Sequence, residues 1–284
     1  MLTISPLHPL FAAEVVGLDL NRPLSDATLD QIKAAFAQYS VLVFREQEIT
    51  DDQQVAFSER FGVLETTKVG TPGAGGKLIT LSNIGADGQI EPPTGRQILN
   101  NKANQHWHAD SSFKPVPSKA SMLSARIIPS SGGNTEYLSM RAAYAALPQA
   151  DKALLDGRVA IHDYSYGRSR IDPDLVTPEE RQAVPPVRQA MVLDHGMHGK
   201  SLYLGAHCAS VEGMDDAEGR ALIDRLMDFA MQDRFVYSHP WRPHDMILWD
   251  NLSVLHRATP FASTREPRRM VRTTIAGDGP TRSA

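Results

Sequence analysis

Cysteine is nearly missing from this chain: one, Cys208, stands among 284 residues. A disulfide framework within the chain is therefore excluded, and so is a zinc site built from several thiolates. Long apolar runs are missing as well, and none approaches the ~20 residues needed to span a bilayer, so no membrane partner is expected. Residues 1–20 contain Pro6, Pro9, Glu14 and Asp19 but no basic stretch followed by an apolar one, so no signal peptide is expected and the expected location is cytoplasmic. An excess of one charge is also absent, with a net charge of −4 and an isoelectric point near 6.2. No basic stripe with interleaved aromatics occurs, which argues against a nucleic-acid partner. Internal repeats and low-complexity tracts are lacking too.

What is present is an ordinary globular composition, with 42% hydrophobic and 22% charged residues. The length fits one core with elaborations, so a single domain over 1–284 is expected. Ser25 is placed to cap a helix running to about Tyr39, with Leu29, Ile32 and Phe36 inward. Val41–Phe44 reads as a buried strand. Thr50 to Gln53 reads as a capping box opening a helix to about Phe61, with Ala56, Phe57 and Phe61 inward. Residues 70–95 read as loops around one strand at Leu78–Leu81. From about His106 the pattern turns to short strands, with helices predicted over Met140–Leu147, after Thr177 and over Asp215–Gln232. Together these predict a mainly β protein with α elements, a double-stranded β-helix (jelly roll, cupin-like) core with flanking helices.

The chemistry-bearing residues are His108-Ala109-Asp110 and the distant His256. On a strand, residues i and i+2 face the same way, so a His-x-Asp pair presents two ligands side by side. Two imidazoles and one carboxylate form the ligand set of a mononuclear non-haem Fe(II) site with open positions. Spacing alone leaves a choice, because His106, His108 and Asp110 would share one face. Arg268 and Arg272 would also share a face, and arginine suits carboxylates through its planar fork.

Several separated strings resemble the taurine dioxygenase and 2,4-dichlorophenoxyacetate dioxygenase family. They include Ser40 to Arg45, Asn104 to Phe113, Ser131 to Glu136, Met140 to Tyr144 and Trp249 to Arg257. Asp110 to Phe113 and Gly205 to His207 look most like the aryloxyalkanoate branch. The resemblance implies Fe(II) held by His108, Asp110 and His256, with 2-oxoglutarate as cosubstrate, O2 as oxidant and ascorbate as a stimulant. It places the far carboxylate of 2-oxoglutarate on Arg268 and Thr135, with Trp249 lining that pocket. Arg269 is the alternative fork, because the His256 to Arg268 spacing is one residue longer than usual in the family. A further departure is Leu252, where many relatives carry arginine.

For the substrate, the resemblance implies Arg272 and Asn104. Further candidates are Ser82, Asn83, Ile84, His195 and the loop from Lys68 to Lys102. The implied reaction hydroxylates the carbon alpha to the carboxylate of a small anionic aromatic substrate. Its products are a phenol and glyoxylate or pyruvate, with succinate and CO2. A homo-oligomer is expected from the relatives. The same chemistry on an alkylsulfonate such as taurine, releasing sulfite, is the alternative, and a non-redox metal-binding jelly roll is the third reading.

Overall fold

The computed structural model describes residues 2–66, 75–92 and 96–281. A seven-stranded sheet organises the molecule, in the spatial order Thr3–Pro6, Ala13–Val16, Val41–Phe44, Met246–Asp250, Ala120–Ile127, Arg269–Ile275 and Ile79–Ser82. Its neighbours run antiparallel except Ala13–Val16 against Val41–Phe44. Val236–His239, Thr135–Ser139 and Val254–Ala258 form a second sheet. Cys208–Val211, Val159–His162 and Val187–Ala190 form a third, and Lys200–Leu202 pairs with Val192–Asp194. The protein is thus mostly sheet with helices, and among the described residues the sheets remain separate rather than closing into a barrel.

The apolar runs are continuous because both faces of the large sheet are covered. Leu42, Phe44, Met246 and Leu248 pack beneath the helices Asp26–Tyr39 and Asp51–Glu59, with Leu29, Ile32, Phe57 and Phe61. Val41, Val43, Ile247 and Trp249 point the other way, onto Tyr137 of the second sheet. Adjacent residues on one strand therefore serve two cores, as the period of two requires. A third core joins the helix Asp216–Ala230 to the smaller sheets through Leu222, Ile223 and Leu226.

The predicted caps form. Ser25 accepts from the Thr28 N–H, while Thr50 and Thr177 complete reciprocal capping boxes. One expected inward residue is corrected: Ala56 is exposed, and Gln54 and Ser58 take the inner positions beside Phe57. They are stable there because they are paired. Gln54 Nε2 donates to the Val271 carbonyl at 2.9 Å, and the Ser58 and Thr273 hydroxyls lie 2.6 Å apart.

A strand starting near His106 does not form. A helix, Arg96–Ala103, precedes the site instead, and His108 makes a single antiparallel bridge to His256. The extended run stops at Ser111, whose φ of 55° is left-handed and turns the chain. The expected strand at Leu78–Leu81 appears as Ile79–Ser82, whereas 67–74 and 93–95, including Lys68, lie outside the described residues. No helix among the described residues is long and apolar enough to cross a membrane.

His162 is fully buried with its ring stacked on Tyr203 at 5.4 Å, and burial pushes its pKa down to about 4. The unfolded chain binds that proton near 6.5. Stability present above pH 6.5 is therefore lost as pH falls toward the folded value. His162→Phe keeps a ring in place and removes the titration. The drop in denaturation free energy between pH 7.5 and 5 should shrink by about 2 kcal/mol relative to the parent. An unchanged drop, measured by urea titration at both pH values, would show that His162 is not the group responsible.

Candidate metal centre and cosubstrate cavity

Main-chain pairing sets the first two contacts. His108 N donates to the His256 carbonyl at 3.1 Å, and His256 N returns a bond to the His108 carbonyl at 2.9 Å. Direct cross-strand partners share a face, so the imidazoles lie together with ring centroids 4.1 Å apart. Two residues on, the Asp110 carboxylate reaches the same point. Asp110 Oδ1 lies 3.9 Å from His108 Nε2, and Oδ2 lies 3.9 Å from His256 Nε2. All three side chains are buried, and their ligand atoms lie within 4.8 Å of one another. His106 stays out of the cluster. Its carbonyl is 2.8 Å from His108 Nδ1, so Nδ1 carries the hydrogen and Nε2 keeps its lone pair toward the centre.

The protonation states suit a cation. Burial lowers the pKa of both His108 and His256, so both imidazoles are neutral ligands at neutral pH. Burial alone would raise that of Asp110. The Arg272 guanidinium, the two imidazoles and the Ser121 hydroxyl outweigh it and hold the carboxyl well below the usual carboxylate range. Ser121 Oγ donates to Oδ2 at 2.6 Å and Arg272 to Oδ1 at 2.5 Å. Sheet register delivers these partners: Ser121 lies opposite Trp249 and Thr274, and Leu123 lies opposite Arg272.

A cavity of about 120 Å³ opens from His108 and His256 toward Arg268, Thr135 and Trp249. Arg268 has no carboxylate partner among the described residues, and its Nε is buried without a hydrogen bond. Burial pushes its guanidinium down to about 10, so it stays charged at neutral pH. The half-buried guanidinium donates to the Gly133 carbonyl at 3.3 Å, and a charge so far removed from water is costly unless an anion joins it. The Thr135 hydroxyl oxygen accepts from Trp241 Nε1 at 3.0 Å, leaving its own hydrogen to donate into the cavity. Gly132 and Gly133, both at left-handed φ, make the turn before Thr135. A Cβ on Gly132 would lie 2.6 Å from the Pro260 carbonyl oxygen, so this turn needs glycine. Trp249 is buried with its ring 4.6 Å from that of His256. Arg269 is exposed and does not line the cavity.

The remaining sequence candidates divide. Asn104, Ser82, Asn83, Lys102 and Arg272 line the cavity. The Asn83 amide is already occupied, donating to the Ser263 and Glu266 carbonyls and accepting from the Arg268 N–H. Ile84 is not part of the lining, and its N–H goes to Ser82 Oγ at 2.9 Å. His195 lies outside the lining too, with Nε2 2.7 Å from Ser201 Oγ. A second cavity of about 100 Å³ shares Asn104, His108 and Arg272 with the first and adds Phe113, Arg168 and His207. Sequence reasoning missed these three residues, and also Trp241, Ser121 and Asn251. Only Phe113, Asn251 and His207 carried a signal, since they sit inside strings that resemble the family.

Comparison with known proteins follows the same line. The chain is 41% identical over 273 residues to an alpha-ketoglutarate-dependent 2,4-dichlorophenoxyacetate dioxygenase of Cupriavidus pinatubonensis, covering 93% of this chain and 95% of that protein. It is 35% identical over 284 residues to a (S)-phenoxypropionate/alpha-ketoglutarate-dioxygenase of Sphingobium herbicidovorans, covering 97% and 95%. The crystal structure of AAD-2 in complex with Mn(II) and N-oxalylglycine superposes with a TM-score of 0.92 at 40% identity, covering all of both chains. Residues 3–274 match the family described as taurine catabolism dioxygenase TauD, TfdA family, and with the relatives above this shows that the chain belongs to that family.

Proposed function

We propose that this protein is an Fe(II)- and 2-oxoglutarate-dependent dioxygenase of aryloxyalkanoates of the 2,4-dichlorophenoxyacetate or phenoxypropionate type. The carrying observation is the arrangement of one cavity. A buried His-Asp-His cluster presents its two imidazoles at one end, and a half-buried arginine with a sealed Nε stands with a hydroxyl donor at the other. The donor set fits Fe(II), and the unpaired Arg268 fits a dicarboxylate reaching back from the metal. Relatives named for 2,4-dichlorophenoxyacetate and phenoxypropionate support the substrate class. The mostly sheet architecture supports a double-stranded β-helix core within a single domain over 1–284. A cytoplasmic homo-oligomer belongs to the same reading.

In this reading His108 Nε2, His256 Nε2 and the Asp110 carboxylate hold the iron. Bound Fe(II), with 2-oxoglutarate and O2, supplies the oxidising power for hydroxylation, succinate and CO2 being the co-products and ascorbate a stimulant. Arg268 and Thr135 grip the far carboxylate of 2-oxoglutarate, while Trp249 walls that cavity and excludes water. Arg272 keeps Asp110 ionised and lines both cavities, so its remaining donors face an anionic substrate. Asn104 adds a polar contact on the same wall. Substrate held there presents its alpha C–H for replacement by C–OH. With an aryl ether on that carbon, the product collapses to a phenol and a 2-oxo acid.

The test is a panel of phenoxyacetate, both phenoxypropionate enantiomers and taurine with Fe(II), ascorbate and 2-oxoglutarate. Phenol should appear in step with succinate from at least one aryloxyalkanoate. Sulfite from taurine without phenol from any aryl ether would move the assignment to sulfonates. No succinate from any substrate would leave a non-redox metal protein.

A further inference from the structure

Asn251 is fully buried and uses every hydrogen-bonding position of its side chain. Oδ1 accepts from the Asp110 N–H at 3.2 Å and from Trp249 Nε1 at 2.9 Å. Nδ2 donates to Ser118 Oγ at 3.0 Å and to Ser121 Oγ at 2.9 Å. Both hydroxyls then donate onward to Asp110, Ser121 to Oδ2 at 2.6 Å and Ser118 to the main-chain carbonyl at 2.7 Å. One amide therefore reaches Asp110 by three routes and also holds the indole that packs on His256.

The direction of these bonds matters. A serine hydroxyl rotates freely and donates a single hydrogen. An amide N–H aimed at each hydroxyl oxygen leaves that hydrogen to go elsewhere, and here both go to Asp110. The aspartate carboxyl torsion is broad by itself, so the imposed donor at Oδ2, together with the Arg272 guanidinium at Oδ1, selects one carboxylate orientation.

We propose that Asn251 is a positioning residue that orients the Asp110 carboxylate for the metal through Ser121 and, through Trp249, sets the wall of the 2-oxoglutarate cavity. This rests on the metal-centre reading above. It differs from a packing role, because it predicts effects on metal and cosubstrate that separate from those on the substrate.

The experiment uses the metal-free protein and Mn(II) as the probe, with binding read by calorimetry and folding by circular dichroism and the thermal midpoint. Ser121→Ala removes one hydroxyl, and Asn251→Ala removes the amide. Mn(II) should bind about tenfold to a hundredfold more weakly in each. The double variant should bind no more weakly than Asn251→Ala alone, because the two act on one path. The KM for 2-oxoglutarate should rise in Asn251→Ala but not in Ser121→Ala, and the KM for the aryloxyalkanoate should stay unchanged in both.

A folded Ser121→Ala protein that binds Mn(II) as tightly as the parent overturns the proposal, as do losses that simply add in the double variant. If Asn251→Ala does not fold, Ser121→Ala decides alone. A parent protein that binds no Mn(II) refutes the metal-centre reading itself, which is a distinguishable result.

Discussion

Asp110→Ala should abolish turnover, lowering kcat on the order of a thousandfold or more. A bound metal contributes several kcal/mol to the barrier, and each 1.4 kcal/mol is tenfold in rate. Removing the only carboxylate of the cluster leaves two neutral imidazoles at the centre. The substitution also strands the Arg272 guanidinium, which is paired with Asp110 at 2.5 Å and only 15% exposed. Leaving one charge of a buried pair alone costs roughly 3–5 kcal/mol, so the thermal midpoint should fall as well. Asp110→Asn separates the two effects. It keeps the shape and one oxygen that can still accept from Arg272, with its NH2 turned to the Ser121 hydroxyl, so its midpoint should fall less while turnover stays lost. Turnover is read as succinate release at saturating Fe(II), with folding checked by circular dichroism. Normal activity in a folded Asp110→Ala protein would end the triad assignment.

Arg268→Ala should raise the 2-oxoglutarate requirement by about two to three and a half powers of ten, the equivalent of about 3–5 kcal/mol for a broken buried pair. The dissociation constant for the metal should change little, since Arg268 makes no contact with the three ligands. The fold should survive, because no carboxylate among the described residues depends on this side chain. Arg268→Lys retains charge without the planar fork, so it should fall between the two. The measurement is KM for 2-oxoglutarate beside Mn(II) affinity in the same preparations. An unchanged KM would remove the fork from Arg268, and Arg269, exposed and outside the cavity, would then have to be tested in its place.

The elements most legible in the sequence were those with short-range causes. Ser25, Thr50 and Thr177 announce their helices because an N-cap and its N–H partner lie three residues apart. Val41–Phe44 and Met246–Asp250 are legible as apolar runs because both faces of their sheet are buried. Where local pattern and tertiary contact disagreed, contact won. Ala56 has the more apolar side chain, yet Gln54 and Ser58 are inside because partners on the strand Arg269–Ile275 beneath the helix satisfy them. The helix Arg96–Ala103 is short, polar along much of its length and follows a Pro- and Gly-rich stretch, so few apolar residues mark it in the sequence.

At the site, the identities of the ligands were written in the sequence, since few side chains bind iron and His108, Asp110 and His256 stand in recognisable strings. Local spacing by itself left His106 as a rival, which the family resemblance set aside. The tertiary structure removed the rival by pairing His108 with His256 main chain to main chain, and by spending the His106 carbonyl on His108 Nδ1. It alone decided that Arg272 rests on Asp110, that Trp241 turns the Thr135 hydroxyl, and that Asn251 reaches Asp110 from 141 residues away. Local periodicity encodes which way a side chain faces. It does not encode which distant donor meets it there, because that depends on strand register, and register is set only when the whole sheet assembles.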